Sequence, residues 1–371
     1  MIHNFLHKLQ VFNYKNIVEN EFIFDKKINC LVGDNGVGKT NVLDTIYHLS
    51  IGKSYFKLKN DQIINNDSDF LLIEGDFECN EKKENIICSI KRGGKKVLKR
   101  NSKVYKKFSN HIGLIPVVMI SPYDTDLINE GSIERRKFID SIISQNDKSY
   151  LQDLIDYNKI IQNRNKLLKN SSYNTKSNLE MIDVYDDKII ELSDPIHEKR
   201  ISFVKEFLPY FLEKYNDISS GKENVNIYYK SDLNDKSIKE ILKETLKKDF
   251  ILQYTSAGIH KDDLILEIDN NPVKKFGSQG QQKSFIIALK LAQFEYLKVK
   301  TGISPILLMD DIFDKLDFSR VKNIVNLVNS SNFGQLFISD TDNDRIVKIL
   351  ESLNLSSKVF RLWKELEKQR E

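Results

Sequence analysis

The most informative stretch of the chain is Gly33-Asp34-Asn35-Gly36-Val37-Gly38-Lys39-Thr40. They fit the pattern Gly-x-x-x-x-Gly-Lys-Ser/Thr and lie between an apolar run at 27–32 and apolar residues at helical spacing in 41–49. In such a loop, glycines allow backbone N–H groups to curl around phosphate oxygens, and the following helix points its positive end at them. The lysine reaches the terminal phosphates, and the threonine hydroxyl is offered to magnesium. A glycine turn that only caps a helix would need neither side chain, so the sequence predicts a nucleotide-binding strand, loop and helix.

The predicted ATP-binding residues are the whole loop and the residue that follows it. They are Gly33, Asp34, Asn35, Gly36, Val37, Gly38, Lys39, Thr40 and Asn41. Within this set, Lys39 is assigned to catalysis and Thr40 to the metal. The expected cofactors are therefore ATP and Mg²⁺.

A second acidic site is expected at the end of a buried strand. Residues 305–311 read Pro-Ile-Leu-Leu-Met-Asp-Asp, an apolar run that ends in two carboxylates. Ligands bind at the carboxyl ends of strands in open α/β sheets. We expect Asp310 to coordinate magnesium through water, and Asp311 to polarise the attacking water where a longer glutamate often stands. The alternative is a strand end with solvated acids.

A third motif, at 276–282, precedes a long apolar helix. It reads Phe-Gly-Ser-Gln-Gly-Gln-Gln and predicts a helix N-terminus that can bind an anion, although a serine-glycine cap alone is commonplace. In order with the other two motifs, it resembles the signature sequence of ABC-type ATPases, commonly Leu-Ser-Gly-Gly-Gln. Residues 313–317, Phe-Asp-Lys-Leu-Asp, are similar to the D-loop of these proteins and end at Asp317.

Among ABC-type ATPases, the chain resembles the RecF family of DNA-repair proteins nearly from end to end. The segments that carry the resemblance are 33–41, 121–124, 134–140, 258–264, 278–283, 310–317 and 336–342. Near its start the family usually shows Asn-Phe-Arg-Asn-Tyr, where residues 11–16 here read Val-Phe-Asn-Tyr-Lys-Asn. Ile259 and Lys261 replace a proline and an arginine of the family pattern. No switch histidine or Q-loop glutamine is evident, so residues 339–341, Ser-Asp-Thr, would sense the γ-phosphate.

The resemblance implies an α/β fold, an ABC-type P-loop ATPase head with an inserted, mainly helical second lobe and no long coiled coil. The ATP-binding α/β lobe would comprise 1–120 and 298–371, and the helical lobe 121–297, with the signature motif. The pattern agrees, since strand-like alternation precedes 121, helical periodicity fills 130–250, and helix and strand alternate beyond 280.

The resemblance also implies a function, an ATP-gated homodimer that clamps on DNA in recombinational repair and replication. ATP would be sandwiched between two heads, with the signature residues acting in trans. These are Ser278, Gln279, Gly280 and Gln281. Duplex, gapped or junction DNA and recombination mediator proteins are the implied partners, and recombinase loading the implied task. Hydrolysis is expected to be slow and to act as a conformational switch, because the short Asp311 must reach its water indirectly.

A basic stretch supplies the argument for DNA from the residues themselves. Residues 91–107 contain nine lysines and arginines and no acid, and a hairpin is predicted to turn at 92–95. The predicted DNA-binding residues are Lys91, Arg92, Lys95, Lys96, Lys99 and Arg100. Cations that face a phosphate backbone bind with strong salt dependence and without sequence preference. The alternative is a solvated hairpin face.

Composition excludes several other classes of protein. A chain of 371 residues with 40% hydrophobic and 30% charged content is neither disordered nor collagen-like. The longest apolar run is far shorter than the roughly 20 residues of a membrane span, and no secretion signal opens the chain, so we expect no membrane partner and a cytoplasmic location. The cysteines Cys30, Cys79 and Cys88 form no Cys-x-x-Cys pair and are expected to be buried thiols. The net charge of +4, from 57 basic and 53 acidic residues, decides nothing.

Four other functions stay open at this point. An ATPase-nuclease would need further acidic chain after the head, and only about thirty residues follow Thr341. A transporter subunit would share the ATP motifs, but the paired Asp310 and Asp311, the basic stretch and the family-like segments outside the ATP motifs speak against it. The ATPase head of another SMC-like protein is a further alternative. ATP could also be merely structural in a DNA-binding module. Two local questions are also open: Arg135 and Arg136 either form a salt bridge or face a partner, and His260 is expected to be structural rather than a metal ligand.

Overall fold

The structure is a computed structural model that describes residues 2–170, 176–219, 221, 223–312, 333–342 and 357–362. The chain divides into two compact units. The first comprises 1–125, 214–221 and 283–371, and the second 126–213 and 222–282. Residues 283–297, which the sequence analysis assigned to the helical lobe, fall in the first unit because the apolar helix that contains them packs within it.

The strands and helices follow one another in a mixed order. The first part contains β1 Ile2–His3, β2 Phe5–Tyr14, β3 Ile17–Ile23, β4 Ile28–Val32, α1 Lys39–Ile51, β5 Phe70–Cys79, β6 Lys82–Lys91, β7 Val97–Arg100, β8 Lys103–Val104 and β9 Val117–Ile120. The middle contains α2 Asp126–Asn129, α3 Ser132–Asn146, α4 Lys148–Asn170, α5 Lys176–Ser219, β10 Val225–Lys230, α6 Ile238–Leu252, β11 Asp263–Ile268, β12 Asn271–Pro272 and α7 Val273–Phe276. The last part contains α8 Gln279–Thr301, β13 Ile303–Ser304, β14 Ile306–Asp310, β15 Leu336–Asp340 and β16 Ser357–Arg361.

A parallel sheet in the first unit carries the predicted chemistry at one edge. Its strand order is β16-β4-β15-β14-β9, and every residue of β4, β9, β14 and β15 is buried. Runs that are apolar throughout are typical of parallel strands covered on both faces. Because all five strands run in the same direction, the phosphate loop after β4 and the acids after β14 lie at the same edge.

A six-stranded antiparallel sheet, in the order β3-β2-β5-β6-β7-β8, packs its inner face against α1. Val42, Leu43, Ile46 and Leu49 of α1 are all buried in this core, as the helical spacing predicted. Each such side chain contributes about 1.5–3 kcal/mol on burial. The predicted hairpin at 92–95 is confirmed, since β6 and β7 pair antiparallel there.

The second unit combines helices with a small sheet of order β10-β11-β12. Within the region 130–250, where helical periodicity was expected, β10 was not predicted; its residues mostly alternate between buried and exposed. Arg135 donates to both carboxylate oxygens of Asp263, at 2.7 and 2.9 Å, and Arg136 donates to a backbone carbonyl. Both arginines are therefore engaged within the unit.

Several other predictions concern individual residues. His260 is held by the Tyr157 hydroxyl at 2.8 Å and the Thr255 carbonyl at 3.0 Å, which is a structural role. The three cysteines are free and buried, as expected, and burial raises the pKa of each to about 12. No helix among the described ranges has the length and apolar character needed to span a bilayer. The alternation of helix and strand expected beyond 280 includes a helix near 320–328, which lies outside the described residues. Asp317 and the residues after 362 also lie outside them.

Candidate functional site

The phosphate loop joins β4 to α1 through three glycines with positive φ. Gly33, Gly36 and Gly38 have φ of 154°, 84° and 107°, in the region that residues with a Cβ rarely adopt. A Cβ at Gly33 would lie 2.3 Å from the carbonyl oxygen of Leu362, so glycine is also required there by space. No side chain caps the N-terminus of α1. Its first backbone N–H groups are therefore available to an anion.

Lys39 is the first residue of α1 and is 7% exposed. Its ammonium donates to the carbonyl oxygens of Gly33 at 2.5 Å and Asp34 at 2.8 Å, so it lies along the loop. Burial lowers its pKa, opposed by the nearby charge of Asp311. A lysine in this position can place a point charge against terminal phosphates.

Asp310 accepts hydrogen bonds from hydroxyl groups of α1 and β15. Thr40 Oγ1 donates to its two carboxylate oxygens at 2.8 and 3.0 Å, and Ser339 Oγ, from β15, donates to Oδ1 at 2.7 Å. Burial raises the pKa of Asp310, while the two hydroxyls act in the opposite direction. A hydroxyl and a carboxylate in contact form the hard-oxygen donor set that magnesium prefers. These two residues therefore fit the metal.

The donor set is small, as magnesium sites on nucleotides usually are. No group of three or more His, Cys, Asp or Glu side chains suited to a metal occurs in the described part of the chain. Magnesium commonly takes one or two protein carboxylates and completes its shell with phosphates and water. The site thus fits a metal that arrives with a nucleotide better than a resident ion.

Asp311 follows the strand in an uncommon backbone conformation. Its φ is 47°, and its N–H donates to the backbone carbonyl of Ser339 at 3.2 Å and to the Ser339 hydroxyl at 3.1 Å. Non-glycine residues with positive φ cluster at functional sites. A cleft brings the two acids together with the loop, and its lining residues are Asn35, Gly36, Gly38, Lys39, Thr40, Asn41, Asp310 and Asp311.

The signature motif lies at the start of α8, as predicted. Gln281 N donates to Ser278 Oγ at 3.2 Å, and Ser278 N donates to Gln281 Oε1 at 2.7 Å, so the two residues cap the helix reciprocally. Gln281 Nε2 also donates to Glu223 at 3.0 Å. Ser278 and Gln279 are exposed, and Gly280 is half-buried. The N-terminus of this 23-residue helix is exposed and can bind an anion.

The six predicted DNA-binding residues fall into two groups. Lys91 and Lys95 are exposed and Lys99 is half-buried, and none has an ion-pair partner in the described ranges. The other three are held by the protein itself. Arg92 donates to backbone carbonyls of the 61–68 segment, Lys96 to the Gly52 carbonyl, and Arg100 to the buried Glu84. Composition alone could not separate these groups, because their partners are distant in sequence.

Sequence reasoning missed Asp44, a fully buried carboxylate in α1. It accepts hydrogen bonds at 2.8 Å each from the Tyr14 hydroxyl, the Lys15 ammonium, the Ser54 hydroxyl and the Tyr55 N–H. An acid among the apolar positions of α1 was the available signal, because a buried charge must be paired. Ser339 was proposed only as one of three γ-phosphate sensors, and its contact with Asp310 places it at the same edge.

Comparisons with known proteins find similarity over nearly the whole chain. The family model of the RecF/RecN/SMC N-terminal domain matches residues 5–359. The chain is 54% identical to the DNA replication and repair protein RecF of Flavobacterium johnsoniae, over 96% of this chain and 99% of that protein. It is 45% identical to the protein of the same name from Parabacteroides distasonis, over 96% and 97% of the two chains.

Solved structures give the same result. A structure of the recombination mediator protein RecF with ATP, from the RecFOR pathway, superposes with a TM-score of 0.85 at 29% identity and covers 92% of both chains. The Smc head domain of Pyrococcus furiosus superposes with a TM-score of 0.58 at 16% identity, over 99% and 98% of the chains, and shares the fold. The predicted ABC-type head is confirmed. The chain belongs to the RecF family of DNA replication and repair proteins.

Proposed function

We propose that the chain is an ATP-dependent DNA-binding protein of recombinational repair and replication. Relatives that cover nearly the whole chain are named DNA replication and repair protein RecF, and a similar solved structure is RecF with ATP. The observation that carries the proposal is the contact between Thr40 Oγ1 and Asp310, which joins the phosphate loop to the end of β14. The contact joins residues 270 positions apart in the sequence.

Each residue of the cleft has its own role in the binding and hydrolysis of ATP. The open N–H groups of α1 and the glycine loop bind phosphate oxygens, and Lys39 places its charge beside them. Thr40 and Asp310 would hold Mg²⁺, which when bound would supply positive charge to the phosphates. Ser339 keeps Asp310 oriented through its hydrogen bond. Asp311 positions the attacking water, and its short side chain makes hydrolysis slow, so turnover serves as a conformational switch.

The signature residues require a second subunit. Ser278, Gln279, Gly280 and Gln281 present a helix N-terminus that would close on the phosphates of the other subunit in an ATP-dependent homodimer. Loss of the γ-phosphate removes the ligand that both surfaces share, so the dimer loosens after hydrolysis. DNA binds to the exposed lysines of 91–107 through its backbone, and gapped or junction DNA and recombination mediator proteins are the partners.

Sedimentation velocity tests the nucleotide and DNA steps together. We expect a monomer without nucleotide, a dimer with ATP and Mg²⁺, and co-sedimentation of the dimer with gapped duplex. The Lys39→Met variant should stay monomeric, and EDTA should reverse the ATP effect in the wild type. If the wild-type protein has the same oligomeric state with and without ATP, both free and bound to DNA, the proposed control of dimerisation by ATP is refuted.

A further inference from the structure

The turn between β2 and β3 lies directly against the phosphate loop. We name residues 14–17 the hairpin tip. Within it, Asn16 Nδ2 donates to the carbonyl oxygen of Gly36 at 2.8 Å, and Asn16 Oδ1 accepts from Asn41 Nδ2 at 2.6 Å. One amide side chain thus bridges the crest of the loop and the first turn of α1. Both of its hydrogen-bonding groups are used.

The space around Gly38 shows how closely the hairpin tip approaches. A Cβ at Gly38 would lie 3.2 Å from Asn16 Oδ1 and 3.6 Å from Ile17 Cγ1. Gly38 also has a φ of 107°, which residues with a Cβ rarely adopt, so its conformation favours glycine and the space beside it is tight. The loop is therefore packed against the hairpin tip as well as hydrogen-bonded to it.

The hairpin tip is itself fixed by contacts that do not involve Asn16. The Tyr14 hydroxyl and the Lys15 ammonium both donate to Asp44 Oδ2 at 2.8 Å. Lys15 N donates to the Ile63 carbonyl at 2.9 Å, and Asn65 Nδ2 donates to the Lys15 carbonyl at 2.7 Å. Asn16 therefore lies in a turn anchored by four hydrogen bonds that do not involve its own side chain, and that side chain in turn bonds to the loop.

We propose that Asn16 is a positioning residue that keeps the phosphate loop in its binding conformation before the nucleotide arrives. The inference rests on the proposed ATP site. A loop with three glycines loses much conformational entropy when it is ordered, and a loop that is already ordered loses less on binding. Asn16 provides this order through a donor for the Gly36 carbonyl and an acceptor for Asn41.

Two variants and a matched control test the proposal. Asn16→Ala removes both bonds, and Asn16→Asp keeps only the acceptor for Asn41. Asn20→Ala is the control, because Asn20 lies on the adjoining β3 and, among the described residues, its side chain bonds only to the N–H of Glu21 at 2.9 Å. Amide hydrogen exchange of 33–41 is measured without nucleotide, together with the dissociation constant of a fluorescent ATP analogue and the midpoint of thermal unfolding.

In Asn16→Ala, the backbone amides of 33–41 should exchange hydrogen about tenfold faster than in the wild type, since two modest hydrogen bonds are lost. The variant should also bind the ATP analogue about tenfold more weakly. The 33–41 amides of Asn16→Asp should also exchange faster, and both variants should unfold within about 2 °C of Asn20→Ala, because a loss of about 1 kcal/mol moves the midpoint of a chain of this size only slightly. Unchanged exchange in Asn16→Ala overturns the proposal, even if affinity falls, because Asn16 would then act on the nucleotide directly. Failure of the wild type to bind the analogue would instead refute the ATP site and leave the exchange result valid.

Discussion

Replacing Lys91, Lys95 and Lys99 together with glutamine should weaken binding to duplex DNA and flatten its salt dependence. Their ammonium groups have no ion-pair partner in the ranges that the structure describes, so the substitutions break no ion pair there. The choice follows from the structure. Lys96 and Arg100 of the same stretch bond to Gly52 and Glu84, and their loss would mix a change in stability with a change in binding.

The expected size follows from the number of charges removed. Each phosphate neutralised by a lysine contributes about 0.9 to the slope of log affinity against log salt concentration. If all three lysines contact phosphates, the slope falls by about 2.7. The wild type would then lose about 40-fold more affinity than the variant between about 50 and 200 mM salt.

A filter or fluorescence anisotropy titration at several salt concentrations, with ATP present, measures this slope. The matched control is Lys239, Lys243 and Lys247 replaced by glutamine, three exposed lysines of α6 that carry the same total charge. We expect the control to keep the wild-type slope. Equal slopes for all three proteins would refute the assignment of the basic stretch to DNA, and equal losses in both variants would show only an effect of net charge.

Three further predictions concern ionisable groups that are buried or paired with a buried partner. Arg100→Gln leaves Glu84, which is 5% exposed, without its guanidinium partner and should cost about 1–2 kcal/mol in urea unfolding, less than a fully buried pair because the arginine is partly exposed. Arg164→Met leaves two aspartates unpaired around a fully buried site and should cost about 3–5 kcal/mol, whereas Lys159→Met on the exposed side of α4 should be nearly neutral. Burial lowers the pKa of His48 to about 3, so the stability it contributes is complete above about pH 6.5 and is lost as pH falls toward 3. The loss is about 2 kcal/mol at pH 5. In His48→Gln, the midpoint of thermal unfolding should therefore change less between pH 7 and 5 than in the wild type. A variant with the same pH dependence as the wild type would contradict this prediction.

Features set by neighbouring residues could be predicted from the sequence. The loop from Gly33 to Thr40 contains its own turn glycines, lysine and hydroxyl, and the apolar runs on either side define the strand and the helix. Asp310 could be placed near it because parallel strands bring their carboxyl ends to one edge. These rules need no knowledge of strand order.

Features that depend on pairing between distant segments could not be predicted. Asn16 reaches Gly36 only because β2 and β3 pair in a register that puts their turn beside the loop. The same limitation affected the basic stretch, since Glu84 meets Arg100 through the pairing of β6 with β7. β10 was missed because its partner β11 begins more than thirty residues later, and a short alternating run is ambiguous within a helical region.

The place of β4 between β16 and β15 in the parallel sheet has a consequence for synthesis of the protein. Both of its neighbours come from late in the chain, since β15 begins at Leu336 and β16 ends at Arg361. A chain that emerges from the ribosome can pair the antiparallel strands of residues 5–104 early, because their partners are close in sequence. The strand that carries the phosphate loop must wait for its partners. The nascent chain therefore cannot complete its nucleotide site until translation has passed Arg361, and truncated products would lack it.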